Sequence, residues 1–468
     1  MRYSFARGGD SKPLAAGVGK FSAVAPIVCC CGDLHPGGEL SKLPAMNRTL
    51  YSLLLHLALP ILVLRLLWRA WRAPAYSRRL LQRFAFGLPP LKPGGIWIHA
   101  VSVGESIAAA PLVRELLARY PALPITITCM TPTGSERIQA LFGNQVQHCY
   151  LPYDLPWAAA RFIRRLQPQL ALVMETELWP NHIHQCATRS VPVVLANARL
   201  SERSARGYAR FAKLTAPMLA ELSLIAAQSS AEAERFLALG ARPACVEVTG
   251  SIKFDLRIEP ALLAQAQALR AAWNTVQRPV WIAASTHAGE DERVLAAHRL
   301  LLQQQPQALL ILVPRHPERF ASVHQLCLQE GFSTCRRALG EAPDAATQVL
   351  LGDTMGELLL LYALADCAFV GGSLVANGGH NLLEPAALGL PVLSGPHLFN
   401  FLEIAGLLRS AGALAEVADA EALAATLLRL FAEPQQAAAM ARAGLAVLKA
   451  NQGALQRLLD GVQRLLPR

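Results

Sequence analysis

The chain has 468 residues, of which 53% are hydrophobic and 16% are charged, and its formal net charge is +11. This length and apolar content suffice for about two or three globular domains, and they exclude a disordered or fibrous protein. Most of the ten cysteines are scattered, without the spacing of a metal site or a disulfide framework. We therefore expect reduced thiols in a protein that faces the cytosol, and no metal ion is predicted.

Residues 1–45 differ from the rest of the chain because Gly, Pro, Ser and Ala dominate and neither a helical nor a strand period is visible. A secretory signal fits this segment poorly. Met46 resembles a second start, so residues 1–45 are expected to be disordered or to come from an upstream start codon that is not used. Cys29, Cys30 and Cys31 could bind a metal or carry acyl chains, but the sequence contains no second cluster of ligands to support this.

An apolar run from Leu50 to Leu67 precedes a strongly basic segment. Its length is close to the ~20 residues of a membrane-spanning helix. Between Met46 and Lys92 there are seven Arg and one Lys but no Asp or Glu, a pattern that favours an anionic membrane surface over nucleic acid. Residues 46–92 are therefore predicted to be a membrane anchor helix and basic linker, with the following body in the cytoplasm. A buried first helix of a soluble domain is the alternative.

Apolar, strand-like runs then alternate with helical stretches in two series. The predicted strands are Ile96–Ala100, Pro124–Met130, Gln169–Met174, Val191–Ala196 and Leu222–Ala227, then Val280–Ala284, Leu309–Val313, Gln348–Leu351, Cys367–Val370 and Pro391–Ser394. Such alternation predicts the α/β class, with two doubly wound domains at residues 93–252 and 253–468 and final helices that pack back on either domain. Ligands collect beyond the carboxyl ends of such strands, so we expect the two domains to face a cleft that holds the active site.

The run Phe369–Pro385 combines a strand end, two glycine pairs and a helix start. Glycines let backbone N–H groups approach a phosphate, and a helix N-terminus adds unpaired donors. The candidate ligand-binding residues here are Gly371, Gly372, Ser373, Gly378, Gly379, Asn381 and Glu384. Glu384 is suited to accept hydrogen bonds from ribose hydroxyls. The alternative is an ordinary strand-to-helix turn capped by an Asn.

Glu105 follows the first predicted strand, at the start of a helix predicted over Ile107–Tyr120. A carboxylate at this position suits a general base, and Gly104 before it is expected to permit a tight turn. The alternative is that Glu105 is only a favourable first-turn acid of the helix.

Further polar side chains follow other predicted strands. The candidate substrate-binding residues among them are Ser102, Gly104, Glu175, Glu177, Lys253, Ser285, Arg315 and His316. Glu175 and Glu177 are candidates for sugar hydroxyls, and either could compete for the role of base. The fork of Arg315 suits a phosphate or carboxylate, while Lys253 could meet charge on a leaving phosphate.

Seven runs, in order along the chain, resemble the 3-deoxy-D-manno-octulosonic acid (Kdo) transferase family. They are Ala100–Glu105, Met174–Glu177, Gly250–Asp255, Pro314–Pro317, Gly371–Leu374, Gly378–Asn381 with Leu383–Pro385, and Gly395–His397 with Phe399–Phe401. The loop departs from the family pattern at Ala376-Asn377, where a Pro is expected.

The resemblance implies a GT-B glycosyltransferase of two Rossmann-like domains that needs no cofactor. It implies an enzyme at the cytoplasmic face of the inner membrane of Gram-negative bacteria, which moves Kdo from CMP-Kdo to a lipid A precursor with inversion at the anomeric carbon. The first domain would bind the acceptor and the second CMP-Kdo, and the family's proposed base corresponds to Glu105. The basic block Arg65 to Arg83 would attract the bilayer and the phosphorylated acceptor. A GT-B transferase or epimerase that uses a UDP-sugar, and a membrane-tethered module that binds nucleotide sugars without turnover, are the alternatives.

Overall fold

The structure, a computed structural model, describes residues 46–466, so the predictions for residues 1–45 lie outside the described residues. The described chain forms two compact units. The first comprises the chain up to Thr249 together with the residues from Leu458 onward, and the second is Gly250–Arg457.

The first unit is built on a parallel seven-stranded sheet with the order β3-β2-β1-β4-β5-β6-β7. Its strands are β1 (Ile96–His99), β2 (Ile125–Cys129), β3 (Gln147–Tyr150), β4 (Leu170–Met174), β5 (Val193–Ala198), β6 (Leu224–Ala227) and β7 (Val246–Val248). Its helices up to the division are α1 (Arg48–Arg72), α2 (Val103–Arg119), α3 (Pro132–Phe142), α4 (Pro156–Leu166), α5 (Pro180–Ala187), α6 (Glu202–Ala209), α7 (Ala212–Ala220) and α8 (Ser230–Ala238).

The second unit repeats this design with the strand order β10-β11-β9-β8-β12-β13-β14, again parallel throughout. Its strands are β8 (Val280–Thr286), β9 (Leu309–Pro314), β10 (Thr334–Arg336), β11 (Val349–Leu351), β12 (Cys367–Val370), β13 (Val392–Ser394) and β14 (Leu414–Glu416). Its helices are α9 (Pro260–Ala272), α10 (Asp291–Leu302), α11 (Phe320–Gln329), α12 (Leu358–Ala363), α13 (Leu383–Ala387), α14 (Leu402–Ser410), α15 (Ala420–Ala432) and α16 (Pro434–Asn451). The last helix, α17 (Ala454–Leu465), begins in this unit and ends in the first, where Arg464 pairs with Glu247.

Both faces of the second sheet are covered by apolar packing. Along β8, Val280 and Ile282 belong to one buried cluster while Trp281 and Ala283 belong to another. Successive side chains of a strand point to opposite faces, so a strand buried on both sides reads as a continuous apolar run. This is why the sequence predicted the central strands, and the prediction of two parallel α/β sheets is confirmed.

The chain order of each sheet reverses at one point, and the predicted site residues lie beside that point. In the first sheet the reversal falls between β1 and β4, whose carboxyl ends are followed by Glu105 and Glu175. In the second it falls between β8, which contains Ser285 near its end, and β12, which is followed by Gly371. Open parallel sheets bind ligands at such switch points because the loops there diverge.

Helix α1 lies along the first unit with one face inward. Tyr51 and Leu66 are buried in it, whereas Leu57, Ile61 and Leu64 on the other face are 68%, 68% and 66% exposed. Within residues 46–466, α1 is the one helix that is long and apolar enough to cross a membrane, judged by length and composition only.

Candidate active site

The turn after β1 fixes the carboxylate of Glu105. Ser102 is the N-cap of α2, and its hydroxyl donates a 3.1 Å hydrogen bond to Glu105 Oε1. The amide of Val101 donates to Glu105 Oε2 at 2.8 Å. The amide of Glu105 in turn donates to Ser102 Oγ at 3.4 Å, so the arrangement resembles a capping box, in which a Ser and a Glu three residues later satisfy N–H groups that lack helical partners. These contacts fix the orientation of the Glu105 carboxylate at the carboxyl end of β1.

Gly104 does not make this turn tight. It lies inside α2 and is absent from the positive-φ residues of the described chain. A Cβ added to Gly104 would come no closer than 3.9 Å to Ser102 Oγ. The predicted tight turn at Gly104 is absent, since Ser102 starts the helix as an ordinary N-cap. Gly104 is itself exposed to solvent.

Backbone strain marks the ends of the next two strands of the same sheet. Glu175, directly after β4, has φ of 54°, and Asn197 near the end of β5 has φ of 52°. The pairing of β5 with β6 shifts register between Leu195 and Ala198. Left-handed backbone at residues other than glycine costs about 1–3 kcal/mol and concentrates at functional sites. The strain supports the prediction that Glu175 belongs to a binding surface, which stays a prediction.

Asp154 is a buried carboxylate that the sequence did not single out. Its Oδ1 accepts from the amide and Nδ1 of His182 at 2.9 and 2.7 Å, and its Oδ2 accepts from the amide of Asn181 at 3.0 Å and the hydroxyl of Tyr51 at 3.1 Å. Asp154 thereby joins α1 to the start of α5, the helix that follows the loop of Glu175 and Glu177. Helix α1 is therefore part of the first unit's hydrogen-bond network.

Glu177 is only 8% exposed and lines a small buried cavity with His99, Trp179 and His182. The cavity volume of about 10 Å³ is at the lower limit for holding one water molecule. Nε2 of His99, Nε2 of His182 and Nε1 of Trp179 have no hydrogen-bond partner among the described residues. Burial, with the nearby His182, lowers the pKa of His99 to about 3, so this ring is neutral.

In the second unit, the glycine loop after β12 is held by a buried carboxylate. Glu290 is fully buried, and its Oε1 accepts from the amides of Ser373 and Leu374 at 2.9 and 2.8 Å. Its Oε2 accepts from the amides of Gly372 and His287 at 2.6 and 3.1 Å. These amides are not available to a phosphate while Glu290 holds them. The expected phosphate contact through the amides of Gly372 and Ser373 must therefore be corrected.

The same loop requires its glycines for steric reasons. A Cβ on Gly371 would lie 2.9 Å from Ser285 O, and Gly372 has φ of 69°. Gly378 and Gly379 have φ of 89° and 74°, and a Cβ on either would come within 2.5 Å of a neighbouring side chain. The hydroxyl of Ser373 is also engaged, since it donates to Val370 O at 2.6 Å and accepts from the Gly395 amide at 2.8 Å.

A pair of histidines lies over Gly372. Nε2 of His287 and Nε2 of His380 are 2.8 Å apart, and the ring of His316 meets that of His287 edge-on at 5.3 Å between centroids. Two ring nitrogens at that distance share one proton, so one ring donates and the other accepts. Burial, His287 and Arg315 together lower the pKa of His380 to about 3, which keeps the pair neutral.

Arg315, Asn381 and Glu384 are further predicted site residues of this unit. Arg315 is exposed at the end of β9, close enough to Glu384 to favour its ionised form, although burial raises the pKa of Glu384 overall. Asn381 Nδ2 donates to Glu384 Oε1 at 3.1 Å, and Asn381 Oδ1 accepts from the Leu383 amide. These contacts orient the Glu384 carboxylate.

Two predicted residues of the second unit occupy special backbone positions. Ser285 has φ of 61° where β8 and β9 shift register. Lys253 lies in a single 3-10 turn, Ile252–Phe254, at the start of the unit. Their contacts with a substrate stay predictions.

No cluster of His, Cys, Asp or Glu able to hold a metal ion occurs within residues 46–466. Buried cysteines there are neutral thiols, since burial raises the pKa of Cys129, Cys149, Cys186 and Cys327 to about 12.

Two family profiles match the chain in succession. The profile of 3-deoxy-D-manno-octulosonic-acid transferase (Kdo transferase) matches residues 78–256, and that of group 1 glycosyl transferases matches residues 278–446. Among solved structures, the UDP-GlcNAc 2-epimerase of Neisseria meningitidis, bound to UDP-GlcNAc, matches with a TM-score of 0.55 at 14% identity, over 79% of this chain and 100% of that chain. At that identity the likeness shows the fold alone, and it agrees with the GT-B class.

Two relatives are similar along nearly their full length. The 3-deoxy-D-manno-octulosonic acid transferase of Haemophilus influenzae is 48% identical over 428 residues, which cover 90% of this chain and 100% of the relative. That of Bordetella pertussis is 38% identical over 435 residues, which cover 89% and 99%. These identities separate the chain from the UDP-sugar enzymes and from a binding module without turnover. The chain therefore belongs to the 3-deoxy-D-manno-octulosonic acid transferase family and is a glycosyltransferase that transfers Kdo.

Proposed function

We propose that the chain transfers Kdo from CMP-Kdo to a hydroxyl of a lipid A precursor, with inversion at the anomeric carbon and Glu105 as general base. The observation that carries this role is the fixed, partly buried carboxylate at the end of β1, held by Val101 and Ser102 next to the exposed Gly104. As the acceptor oxygen bonds to C2 of Kdo, its proton passes to Glu105. The bond from C2 to the phosphate oxygen breaks, and its electron pair leaves with CMP.

The capping box offers a competing role for Glu105, and one variant separates the two. Glu105→Gln keeps the size of the side chain but cannot take the proton. A base predicts a fall of ~10²–10⁴-fold in single-turnover Kdo transfer with CMP affinity unchanged. A purely structural acid predicts a stability loss of about 1 kcal/mol with near-normal transfer. A rate within a few-fold of the parent would remove Glu105 from the mechanism and make Glu175 and Glu177 the next candidates.

We assign the donor to the second unit, with Glu384 accepting from the ribose hydroxyls. Because Glu290 occupies the loop amides, the guanidinium of Arg315 and the ring of His316 are the better groups for the phosphate or the Kdo carboxylate. Arg315 is exposed, and an Arg fork forms two bonds to either anion. Glu384→Ala should weaken CMP binding by about 1–3 kcal/mol, the usual cost of unmatched buried partners. Unchanged CMP affinity would move the ribose to another pocket.

We assign α1 to the cytoplasmic surface of the inner membrane. A helix that buries one face in protein and exposes a stripe of large apolar side chains suits the plane of a bilayer better than a span. That stripe includes Leu57, Ile61 and Leu64, and basic residues Arg69 and Arg72 end the helix. Basic residues beside an apolar face add attraction to anionic lipid headgroups.

The attachment is best tested by point replacements, because deletion of α1 would also remove Tyr51 from Asp154. Leu57→Gln with Ile61→Gln should abolish sedimentation with anionic vesicles and leave transfer to a detergent-dispersed acceptor intact. Leu339→Gln, in the second unit and 62% exposed, is the matched control. Continued sedimentation of the double variant would place the attachment elsewhere.

A further inference from the structure

Two arginines before the first strand stack on one tyrosine ring. Arg79 and Arg83 lie at the 3-10 turn Leu80–Phe84, with guanidinium carbons 5.1 and 4.4 Å from the ring centroid of Tyr150. The residues on both sides of this turn, Arg79 and Ala85, have φ of 59° and 57°. A turn with left-handed, non-glycine residues at both ends is strained, and strain of this kind is tolerated where it positions side chains for a function.

Arg83 is a buried cation without a counter-charge. It is 2% exposed, and its Nη1 donates to Met130 O at 3.1 Å, whereas Nε and Nη2 have no partner among the described residues. Within residues 46–466, no carboxylate forms an ion pair with Arg79 or Arg83. A buried charge left without a partner is strongly destabilising, so an anion bound nearby would relieve it.

The hydroxyl and the imidazole that surround Arg79 are neutral, and Arg69, which shares the Tyr76 ring with Arg83, is a further cation. Arg79 Nη2 donates to Ser135 Oγ at 2.9 Å, and His148 Nε2 lies 2.8 Å from the same hydroxyl. Burial, assisted by Arg79, lowers the pKa of His148 to about 4. The site is therefore positive at neutral pH. Arg79 is exposed, so its guanidinium is accessible to a ligand, while Arg83 is buried against the same tyrosine ring and contributes only charge.

The pair lies beside the turn that carries the proposed base. Arg83 Nη1 donates to Met130 O, the amide of Met130 donates to Val101 O at 3.2 Å, and the amide of Val101 donates to Glu105 Oε2. Three consecutive hydrogen bonds thus connect Arg83 with Glu105 across the ends of β1 and β2. A ligand group held at Arg79 would lie on the acceptor side of the reaction, since the proposed donor residues belong to the second unit.

We infer that Arg79 and Arg83 bind a phosphate monoester of the lipid acceptor and so select phosphorylated lipids. The inference rests on the proposed function, because it assumes that the acceptor meets Glu105. The exposed fork of Arg79 suits a phosphate, which takes paired N–H donors from it, while the buried Arg83 on the same tyrosine ring adds positive charge. The same chemistry would fit a bilayer headgroup or free phosphate, and the experiment distinguishes these sources.

The test compares Arg79→Gln and Arg83→Gln with Arg78→Gln, an exposed neighbour of equal charge. Kdo transfer is measured with a phosphorylated lipid acceptor and with the same lipid after removal of its phosphates. We expect the KM for the phosphorylated lipid to rise at least ~10-fold in the first two variants, as for loss of a charge-assisted hydrogen bond, with kcat and CMP affinity kept. Arg78→Gln should stay within about twofold of the parent, and all variants should match the parent on the dephosphorylated lipid.

Further arms separate the possible outcomes. Arg83→Lys, which keeps the charge, should recover part of the loss and guards against a folding defect of Arg83→Gln. If Arg79→Gln loses anionic-vesicle binding in proportion to its rise in KM, the phosphate belongs to the bilayer and the inference is wrong. If inorganic phosphate at a concentration that leaves transfer unaffected protects Arg79 from chemical modification, the site is one for free phosphate and the inference is again wrong. Unchanged kinetics in Arg79→Gln and Arg83→Gln would overturn this inference alone, whereas a parent protein without Kdo transfer would overturn the proposed function.

Discussion

Two strand-to-helix turns of this chain use a glutamate in opposite ways. After β1, Glu105 accepts hydrogen bonds from Val101 and Ser102, which lie within four residues of it. After β12, the amides of Gly372 to Leu374 donate to Glu290, a residue more than 80 positions earlier. The first turn is therefore specified by its own sequence, and the second exists only once β8 and β12 lie side by side.

The different surroundings of Glu105 and Glu290 suit the two glutamates to different roles. Glu290 accepts four amide hydrogen bonds and is fully buried, so it has no access to a substrate and its role is to shape the glycine loop. Glu105 is only partly buried and lies next to the exposed Gly104. An anion-binding loop filled by the protein's own carboxylate is a rigid support, and the ligand must then bind to groups that the support presents, such as His380 and Arg315.

The largest expected effect comes from breaking the long-range turn. Glu290→Ala leaves three loop amides without acceptors, and each unsatisfied buried donor costs about 1–3 kcal/mol. The second unit should lose at least ~3 kcal/mol of unfolding free energy, and CMP affinity should fall with it. Hydrogen exchange of each unit measures the loss separately, because a chain of two units need not unfold in one step.

Glu292→Gln is the matched control for that variant, since Glu292 is an exposed acid two residues away, in the first turn of α10. This control should change neither the unfolding free energy of the second unit nor the free energy of CMP binding by more than about 0.5 kcal/mol. A stable second unit with normal CMP affinity in Glu290→Ala would mean that the loop amides find other acceptors, and the contrast between the two turns would fail.

The sequence predicted the central strands of both sheets but missed all four strands at the sheet edges. The missed strands are β3, β7, β10 and β14, which have three or four residues each and carry polar side chains such as Gln147 and Glu247. An edge strand is half solvated, so it lacks the continuous apolar run that identifies a doubly covered strand.

In the candidate site, the residues held by local contacts were predictable and those held by long-range contacts were not. Glu105 was predictable because Ser102 and Glu105 form a local motif. Glu290, the pairing of His287 with His380, and Asp154 were missed because each depends on partners that are distant in sequence. His380 lies 93 residues from His287, and Asp154 lies 103 residues from Tyr51. A single sequence contains no pattern that pairs such positions.

Acid should weaken both turns, since each has a buried neutral histidine beside it. The pKa values of His99 and His380 are lowered to about 3 chiefly by burial, whereas an unfolded histidine has a pKa of about 6.5. Below about pH 6.5 the unfolded chain binds protons that the folded chain does not, so stability is full above that pH and falls as pH decreases toward the folded pKa. Each histidine should contribute up to about 1.4 kcal/mol of loss per pH unit.

Hydrogen exchange of each unit between about pH 7 and about pH 5 gives the two slopes. His99→Asn should flatten the slope of the first unit only, and His380→Asn that of the second only. If the dependence of stability on pH is the same in these variants as in the parent, other groups dominate acid unfolding.

A smaller loss is expected when the local turn is broken. Ser102→Ala removes the N-cap of α2 and one bond to Glu105 Oε1. Loss of a Ser cap typically costs about 1 kcal/mol, and Val101 still holds Oε2, so Kdo transfer should fall only a few-fold. A loss of transfer as large as that of Glu105→Gln would give Ser102 a direct part in the reaction.

The smallest effect sharpens the contrast between the glycines of the two turns. Gly104 has ordinary helical backbone with no atom within 3.9 Å of an added Cβ, whereas a Cβ on Gly371 would strike Ser285 O at 2.9 Å. Gly104→Ala should therefore raise stability by about 0.5–1 kcal/mol, because alanine loses less backbone entropy in a helix, while Gly371→Ala should lower it. Transfer rates add a second readout. If the acceptor approaches the exposed Gly104, Gly104→Ala will raise the KM for the acceptor in a protein that melts at a higher temperature. An unchanged KM in that stabilised variant would mean that the acceptor does not approach Gly104, and the glycine would then have neither a conformational nor a binding role.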